Sequence, residues 1–429
     1  MSAWNGQRLH FVGIAGAGLS AYALAAHALG AEVTGSDRAE SPYLARVREA
    51  GIAVSIGHDA ANLPQGGGLE VVVSTAIPRD NPEIAAAGER GVPVLHRAEL
   101  LARLTREKRT IAVAGAHGKT TTTSMVAHAL LATGQEPSYL IGGVLSTTGT
   151  NAEWGSGDWL VVEADESDRS FLALDTDVAV VTNVELDHHT EWTGGTTELR
   201  AAFAEFLTEP AQAVLPQDDP DVLALRTGAT VEFGPWDGPE LSVPGEHNRR
   251  NASAALEACV LAGADRTAAA QALATFAGAG RRFERLGAMP STGAQVVDDY
   301  AHHPTEVAAT IAAARDTQPE GRVIAIFQPH LFSRTQHLAR RFGEALATAD
   351  VVGLVDVYPA REQQEDFPAI TGLTLAEQAA DAAPGKPVLW LRTFDQAEQV
   401  LRSITRPGDL VLIVGAGDID QLGRRLVAS

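Results

Sequence analysis

Thr110-Ile-Ala-Val-Ala-Gly-Ala-His-Gly-Lys-Thr-Thr-Thr-Thr-Ser-Met125 is the stretch on which the reading of the chain turns. Thr110 to Ala114 is β-branched and apolar, breaks at Gly115-Ala-His-Gly118, and gives way at Lys119-Thr120 to apolar residues at helical spacing: Met125, Val126, Ala129 and Leu130. Strand, glycine turn and helix make a phosphate cradle. Glycine lets the backbone approach an anion, the first N–H groups of the helix point inward, lysine reaches the terminal phosphates, and a hydroxyl such as that of Thr120 can ligate Mg2+. Val113 stands where the longer Gly-x-x-x-x-Gly-Lys pattern has its first glycine, so this loop is the shorter Gly-x-x-Gly-Lys-Thr. The alternative, an ordinary strand-to-helix turn, gives no reason for Gly115, Gly118, Lys119 and four threonines at one helix start.

Working outward, 429 residues are too many for one core, so two or three domains are expected. The balance of 33 Lys and Arg against 54 Asp and Glu gives a net charge of −21. That argues against binding to nucleic acid or to an anionic membrane, and requires local sites for any anionic ligand. The single cysteine, Cys259, excludes an internal disulfide and fits a reducing compartment. Neither a signal pattern nor a run of membrane-span length is present, so a cytoplasmic protein without membrane insertion is expected.

Upstream, Leu9-His-Phe-Val-Gly-Ile-Ala-Gly-Ala-Gly-Leu-Ser20 reads as a strand ending in Gly13, Gly16 and Gly18, followed by a helix from Ala21 to Leu29. Glu32 to Asp37 reads as a second strand ending in Ser36 and an acid. This is a dinucleotide-fold opening, in which the turn can hold a diphosphate and Asp37 a ribose. Later strands are expected at Val54 to Gly57, Val71 to Thr75 and Val92 to His96, with Ser74 and Thr75 at a strand end. NAD and a nucleotide sugar both suit the turn, and the glycines do not decide between them. A break between domains is expected in Leu104-Thr-Arg-Glu-Lys-Arg109.

Downstream, Asp158 to Asp165 places Glu163 and Asp165 two apart at the tip of an apolar strand, the placement of acids that Mg2+ chemistry requires. Val178 to His189 delivers Asn183, Glu185, Asp187 and His188 in the same way; His188 can ligate a metal or position a phosphate. Asn248 and Asn251 precede the helix Ala252 to Leu261, where they can cap it or read a purine edge. Phe276 to Glu284 reads as a hinge in which Arg281 and Arg282 can reach phosphate oxygens. A last α/β unit has strands at Gln295 to Asp298, Val323 to Phe327, Val351 to Val357 and Leu410 to Val414. At its strand ends lie Asp298, Asp299, Tyr300, His302 and His303, then His330 and Arg334. A zinc site at His302-His303 is disfavoured, because no third soft ligand is nearby.

Taken together, the chain resembles the Mur ligases of peptidoglycan synthesis. The similarity is collinear through Gly13-Ile-Ala-Gly-Ala-Gly-Leu-Ser20, Gly115 to Thr123, Glu163-Ala-Asp-Glu-Ser-Asp168, Thr182-Asn-Val-Glu-Leu-Asp-His188, Gly245-Glu-His-Asn-Arg-Arg-Asn251, Arg281-Arg-Phe283, Asp298 to Glu306, Gln328 to Thr335 and Gly415-Ala-Gly-Asp418. Asp-Asp-Tyr-x-His-His-Pro-Thr-Glu and Gln-Pro-His point to the alanine-adding branch. The resemblance implies three α/β domains: a Rossmann-like UDP-sugar-binding domain at 1–106, a P-loop ATPase-type domain at 107–283 and a Rossmann-like C-terminal domain at 284–429.

The implied reaction joins L-alanine to UDP-N-acetylmuramate with ATP and Mg2+, by a monomer or homodimer, with ligation of a recovered tripeptide as the alternative. A dehydrogenase or a nucleotide sensor would leave the second cradle and its acids unused or turnover absent. Carried over by position, Gly115, Ala116, His117, Gly118, Lys119, Thr120 and Thr121 hold ATP phosphates, and Thr120, Glu163 and His188 serve Mg2+. Asn248 and Asn251 lie on the adenine side, while Arg282 meets phosphate and Asp299 ribose. Gly13, Gly16, Gly18, Ser36, Asp37, Ser74 and Thr75 form the UDP-sugar side, and Tyr300, His302 and Arg334 the amino-acid side. Ala301 and Leu331 depart from residues common in relatives, as does the sequence after His188.

Overall fold

The computed structural model describes residues 4–187, 192–226 and 228–428. Three sheets follow one another along the chain. The first contains β1 (Arg8–Val12), β2 (Glu32–Asp37), β3 (Ala53–Ile56), β4 (Leu69–Val73) and β5 (Val94–His96), in the order β3-β2-β1-β4-β5 with every pairing parallel. The second contains β6 (Arg109–Ala114), β7 (Ser138–Leu145), β8 (Thr150–Glu153), β9 (Trp159–Glu163), β10 (Val178–Val181), β11 (Gln212–Pro216) and β12 (Thr230–Phe233). Its order is β12-β11-β10-β6-β9-β7-β8, with β8 alone antiparallel to its neighbour. Strands β13 (Glu284–Ala288), β14 (Gln295–Asp299), β15 (Val323–Phe327), β16 (Val351–Leu354), β17 (Val388–Trp390) and β18 (Leu410–Val414) make the third, in the order β13-β14-β18-β15-β16-β17. Only β13 runs antiparallel there.

Parallel strands covered by helices on both faces must be apolar throughout, and β10 (Val-Ala-Val-Val) and β18 (Leu-Val-Leu-Ile-Val) are buried at every position. The first two sheets belong to one compact unit and the third to another, with the division after Phe276. Residues Leu241–Arg249 also belong to the second unit. Within the first unit the helix Ala17–Ala28 packs on β7 and β8, where buried Asn151 donates from Nδ2 to the Ala17 carbonyl at 2.7 Å.

Several element ends differ from the sequence expectations; the strand expected at Val351 to Val357, for example, ends at Leu354. The first helix begins at Ala17, directly after Gly16. Asn248 and Asn251 lie inside the helix Glu246–Leu261, so neither caps its start. Glu284, expected to end a hinge, instead opens the strand Glu284–Ala288, which has an irregularity between Arg285 and Gly287. Just before it, Gly278, Arg281 and Phe283 have φ of +100°, +57° and +52°.

Candidate active site

β6 feeds Gly115–Gly118, and the helix Lys119–Ala132 starts at Gly118 with no side-chain cap. Its first N–H groups are therefore left for an anion. Gly115 and Gly118 have φ of +133° and +83°, a region costly to residues with a Cβ. Space is restricted as well: a Cβ on Gly115 would strike Thr182 Oγ1, and one on Gly118 would lie 2.6 Å from Asn251 Oδ1. The segment after β10 braces the loop from the side. Thr182 Oγ1 donates to the His117 carbonyl at 2.6 Å, Asn183 Nδ2 donates to the same oxygen at 2.9 Å, and the His117 N–H donates to Asn183 Oδ1 at 3.1 Å. His117 Nε2 lies 3.1 Å from Glu185.

Lys119 curls over this loop, with Nζ 2.7 Å from the Gly115 carbonyl and 2.8 Å from Glu166 Oε2. Burial works against its charge but is outweighed by Glu166, Asp165 and Glu163, so the ammonium is held above the usual lysine range. Burial pushes the Glu166 carboxyl up, and Lys119 opposes that. Desolvation acts to raise the pKa of the partly exposed Asp165, yet Lys119 and Arg97 hold it below the usual carboxylate range. Arg97 reaches Asp165 at 2.8 Å and Asp168 at 2.9 Å, fixing the acidic loop that carries Glu166.

β6 and β9 are neighbours with Val113 opposite Glu163, which brings Glu163 to the start of the phosphate-loop helix. Thr120 Oγ1 donates to Glu163 Oε2 at 3.1 Å, and the Gly142 N–H donates to Oε1 at 2.6 Å. A hydroxyl and a carboxylate side by side are hard oxygen donors and fit Mg2+. His188, the third expected metal residue, lies outside the described residues.

On the first sheet the Gly13 N–H donates to the Ser36 carbonyl at 2.8 Å, and Asp37 Oδ2 accepts from Ala15 N–H at 2.8 Å. Asp37 therefore braces the glycine turn. Ser36 is fully buried and donates its hydroxyl to Glu83 at 2.6 Å. Gly16 ends the turn, Gly18 lies within the helix, and Ser74 and Thr75 follow the carboxyl end of β4 beside β1.

In the second unit Asp299 accepts from the Ala301 and Phe283 N–H groups, each at 2.8 Å, and Arg282 lies over the Tyr300 ring at 4.9 Å. Asn248 Nδ2 donates to the Pro244 carbonyl at 2.7 Å. Tyr300, His302 and Arg334 are joined by His330 and Asp187, two strand-end residues to which the resemblance gives no role. Arg334 Nε and Nη2 donate to Asp187 Oδ1 and Oδ2 at 2.9 and 3.2 Å, both side chains being buried. Asn183, already placed at a strand end by the sequence, braces the loop together with Thr182, which lies within a resemblance motif.

A phosphate-binding loop with a charged lysine and adjoining acids, carried on successive α/β sheets, defines a nucleotide-handling enzyme of the P-loop type. Residues 8–109 match the Mur ligase family catalytic domain, 113–238 the Mur ligase middle domain and 281–417 the Mur ligase glutamate ligase domain. The chain belongs to the Mur ligase family. It is 43% identical over 457 residues to UDP-N-acetylmuramate–L-alanine ligase of Streptomyces avermitilis, covering 98% of this chain and 97% of that one. The protein of the same name from Kineococcus radiotolerans is 46% identical, covering 97% and 94%. Among solved structures, UDP-N-acetylmuramate-alanine ligase from Thermotoga maritima superposes with a TM-score of 0.83 at 30% identity over 98% of both chains. A murein peptide ligase from Psychrobacter arcticus gives 0.72 at 25% identity, again over 98% of both.

Proposed function

We propose that the protein joins L-alanine to the lactyl carboxylate of UDP-N-acetylmuramate, converting ATP to ADP and phosphate. The observation that carries this reading is the grouping of Lys119, Thr120 and Glu163 at the uncapped helix start; the two full-length relatives of that name support it. Residues 1–106 hold the UDP-sugar, 107–283 ATP and 284–429 the amino acid. The reaction belongs to the cytoplasm, where ATP is available, and no described helix is long and apolar enough to cross a membrane.

A carboxylate is a poor electrophile, so it must first be activated. Transfer of the γ-phosphoryl group of ATP to the lactyl carboxylate makes an acyl phosphate, which the amine of L-alanine attacks through a tetrahedral intermediate. Two anions must meet in the first step. Lys119 and the N–H groups of Gly118 to Thr121 offset the charge that gathers between them. Thr120 and Glu163 would hold Mg2+, which when bound shields the phosphate oxygens. Asn183 and Thr182 keep the loop in shape, and Arg97 keeps Glu166 in place behind Lys119.

The test is ADP release with ATP, UDP-N-acetylmuramate and a panel of amino acids together with the murein tripeptide. Release that depends on L-alanine is expected. Release only with the tripeptide, or none with any member of the panel, overturns the reading.

A further inference from the structure

An amine attacking an activated carboxylate must lose a proton, and nothing above names the group that takes it. His302 and His330 follow the carboxyl ends of β14 and β15, the two strands that flank β18. That edge of an open parallel sheet is where ligands are held. Their ring centroids lie 6.1 Å apart, and His302 is 20% exposed.

The tautomer of each ring is set by a partner that can play only one part. A carbonyl only accepts, so His302 Nδ1, 3.0 Å from the Tyr300 oxygen, carries the hydrogen and Nε2 the lone pair. A guanidinium only donates, so His330 Nδ1, 3.2 Å from Arg334 Nη1, carries the lone pair and Nε2 the hydrogen. Arg334 is itself fixed by its two bonds to Asp187. The Tyr300 ring meets His302 at 80°, and His330 stacks on Tyr358 at 13°. Among the described residues neither Nε2 has a hydrogen-bond partner. One ring is ready to accept a proton and the other only to donate one.

We propose that His302 Nε2, and not His330, accepts the proton of the attacking amine; this rests on the proposed function and adds the missing base to it. As the amine nitrogen bonds to the carbonyl carbon of the acyl phosphate, its proton passes to Nε2. The tetrahedral adduct then breaks the bond from carbon to the phosphate oxygen, and phosphate leaves with the electron pair. Glu306 supports the imidazolium: its Oε2 lies 3.4 Å from His302 Nδ1 and is held by the backbone N–H groups of His302 and His303 at 3.0 and 3.2 Å. The charged and titratable groups around His302 are Glu306 and Tyr300 from its own segment, with Arg334, His330 and Asp187 packed against it. Burial lowers its pKa to about 4 against the raising effect of Glu306, with Arg334 lowering it further and Asp187 raising it, so the ring is neutral at working pH.

His302→Gln, His330→Gln and Glu306→Gln decide the matter against the unaltered protein. Three quantities are read: amide formation with L-alanine, interception of the acyl phosphate as a hydroxamate by hydroxylamine, and kcat against pH. In His302→Gln, kcat for the amide should fall about 100-fold or more while hydroxamate still forms. The KM for L-alanine should stay within about threefold, which separates proton transfer from binding. The acid limb of kcat should vanish in His302→Gln, persist in His330→Gln and move to lower pH in Glu306→Gln. Because glutamine retains an acceptor for the helix cap, Glu306→Gln remains informative if His302→Gln fails to fold. Amide formation near the unaltered level in His302→Gln, equal loss of amide and hydroxamate, or an acid limb that disappears with His330→Gln would each overturn the proposal. An unaltered protein that releases no ADP with any panel member would refute the proposed function instead, and the proposal with it.

Discussion

Lys119 and Glu166 form a largely buried ion pair, 2.8 Å from Nζ to Oε2, beneath the phosphate loop. Removing Lys119 leaves the buried Glu166 carboxylate without its counter-charge. Lys119→Met is expected to abolish ADP release, a loss of about 1,000-fold, and to cost roughly 3–5 kcal/mol of stability. The double variant Lys119→Met with Glu166→Gln should regain much of that stability and none of the activity. ADP release and urea denaturation measured on both variants check this. Full activity in Lys119→Met would remove the lysine from the mechanism.

Gly118 tests the fit of the loop. Alanine there meets a φ of +83° and would bring a Cβ to 2.6 Å from Asn251 Oδ1. Gly118→Ala should therefore lose about 1–2 kcal/mol from backbone strain. It should also raise the KM for ATP, because Asn251 must move. Asn251→Ala alone should raise the KM for ATP without the strain, so stability should stay near that of the unaltered protein while the KM rises as in Gly118→Ala. Steady-state kinetics with varied ATP, alongside thermal melting, separates the two effects.

The placement of Lys119 and Thr120 at a helix start was legible because strand, turn and helix are local, and that of Glu163 because it ends an apolar strand; strands such as β18 were legible because they are apolar throughout. β13 was not: Glu-Arg-Leu-Gly-Ala has no such run and pairs only through β14. Nor does β8, Thr-Asn-Ala-Glu, carry a strand signature. The pairing of Lys119 with Glu166 was hidden for another reason. Glu163, Asp165, Glu166 and Asp168 are four acids within six positions, and only the strand end and Arg97 decide which one turns inward. The bond from Ser36 to Glu83 spans 47 positions and has no local sequence signal. Asp187 and Arg334 are 147 residues apart, beyond any local pattern.

That distant pair makes its own prediction. Arg334 offers two parallel N–H donors to Asp187 and a third to His330, a geometry lysine cannot reproduce. Arg334→Lys should leave His330 Nδ1 without its donor and raise the KM for L-alanine about tenfold or more. ATP affinity should hardly change. Isothermal titration with each substrate distinguishes this from general unfolding; equal loss of both affinities would count against a role confined to the amino-acid side.

Glu83 governs the response of the first sheet to acid. Its buried carboxylate receives Ser36 Oγ at 2.6 Å and Asn62 Nδ2 at 2.7 Å, and it lies 3.1 Å from His10 Nε2. Burial alone would raise its pKa, but the bonds from His10, Ser36 and Asn62 prevail and hold it at about 2. An unfolded glutamate titrates at about 4.3. Because the folded value is the lower one, the contribution to stability is complete above the unfolded pKa and is lost as pH falls from there toward 2. Integrated over that interval it amounts to roughly 3 kcal/mol. The unaltered protein should therefore lose melting temperature steeply below about pH 4.3, the unfolded glutamate value. Glu83→Gln should begin less stable at pH 7 and change less over the same range. Parallel curves for the two proteins between pH 7 and pH 3 would show that the carboxylate is not the group being titrated.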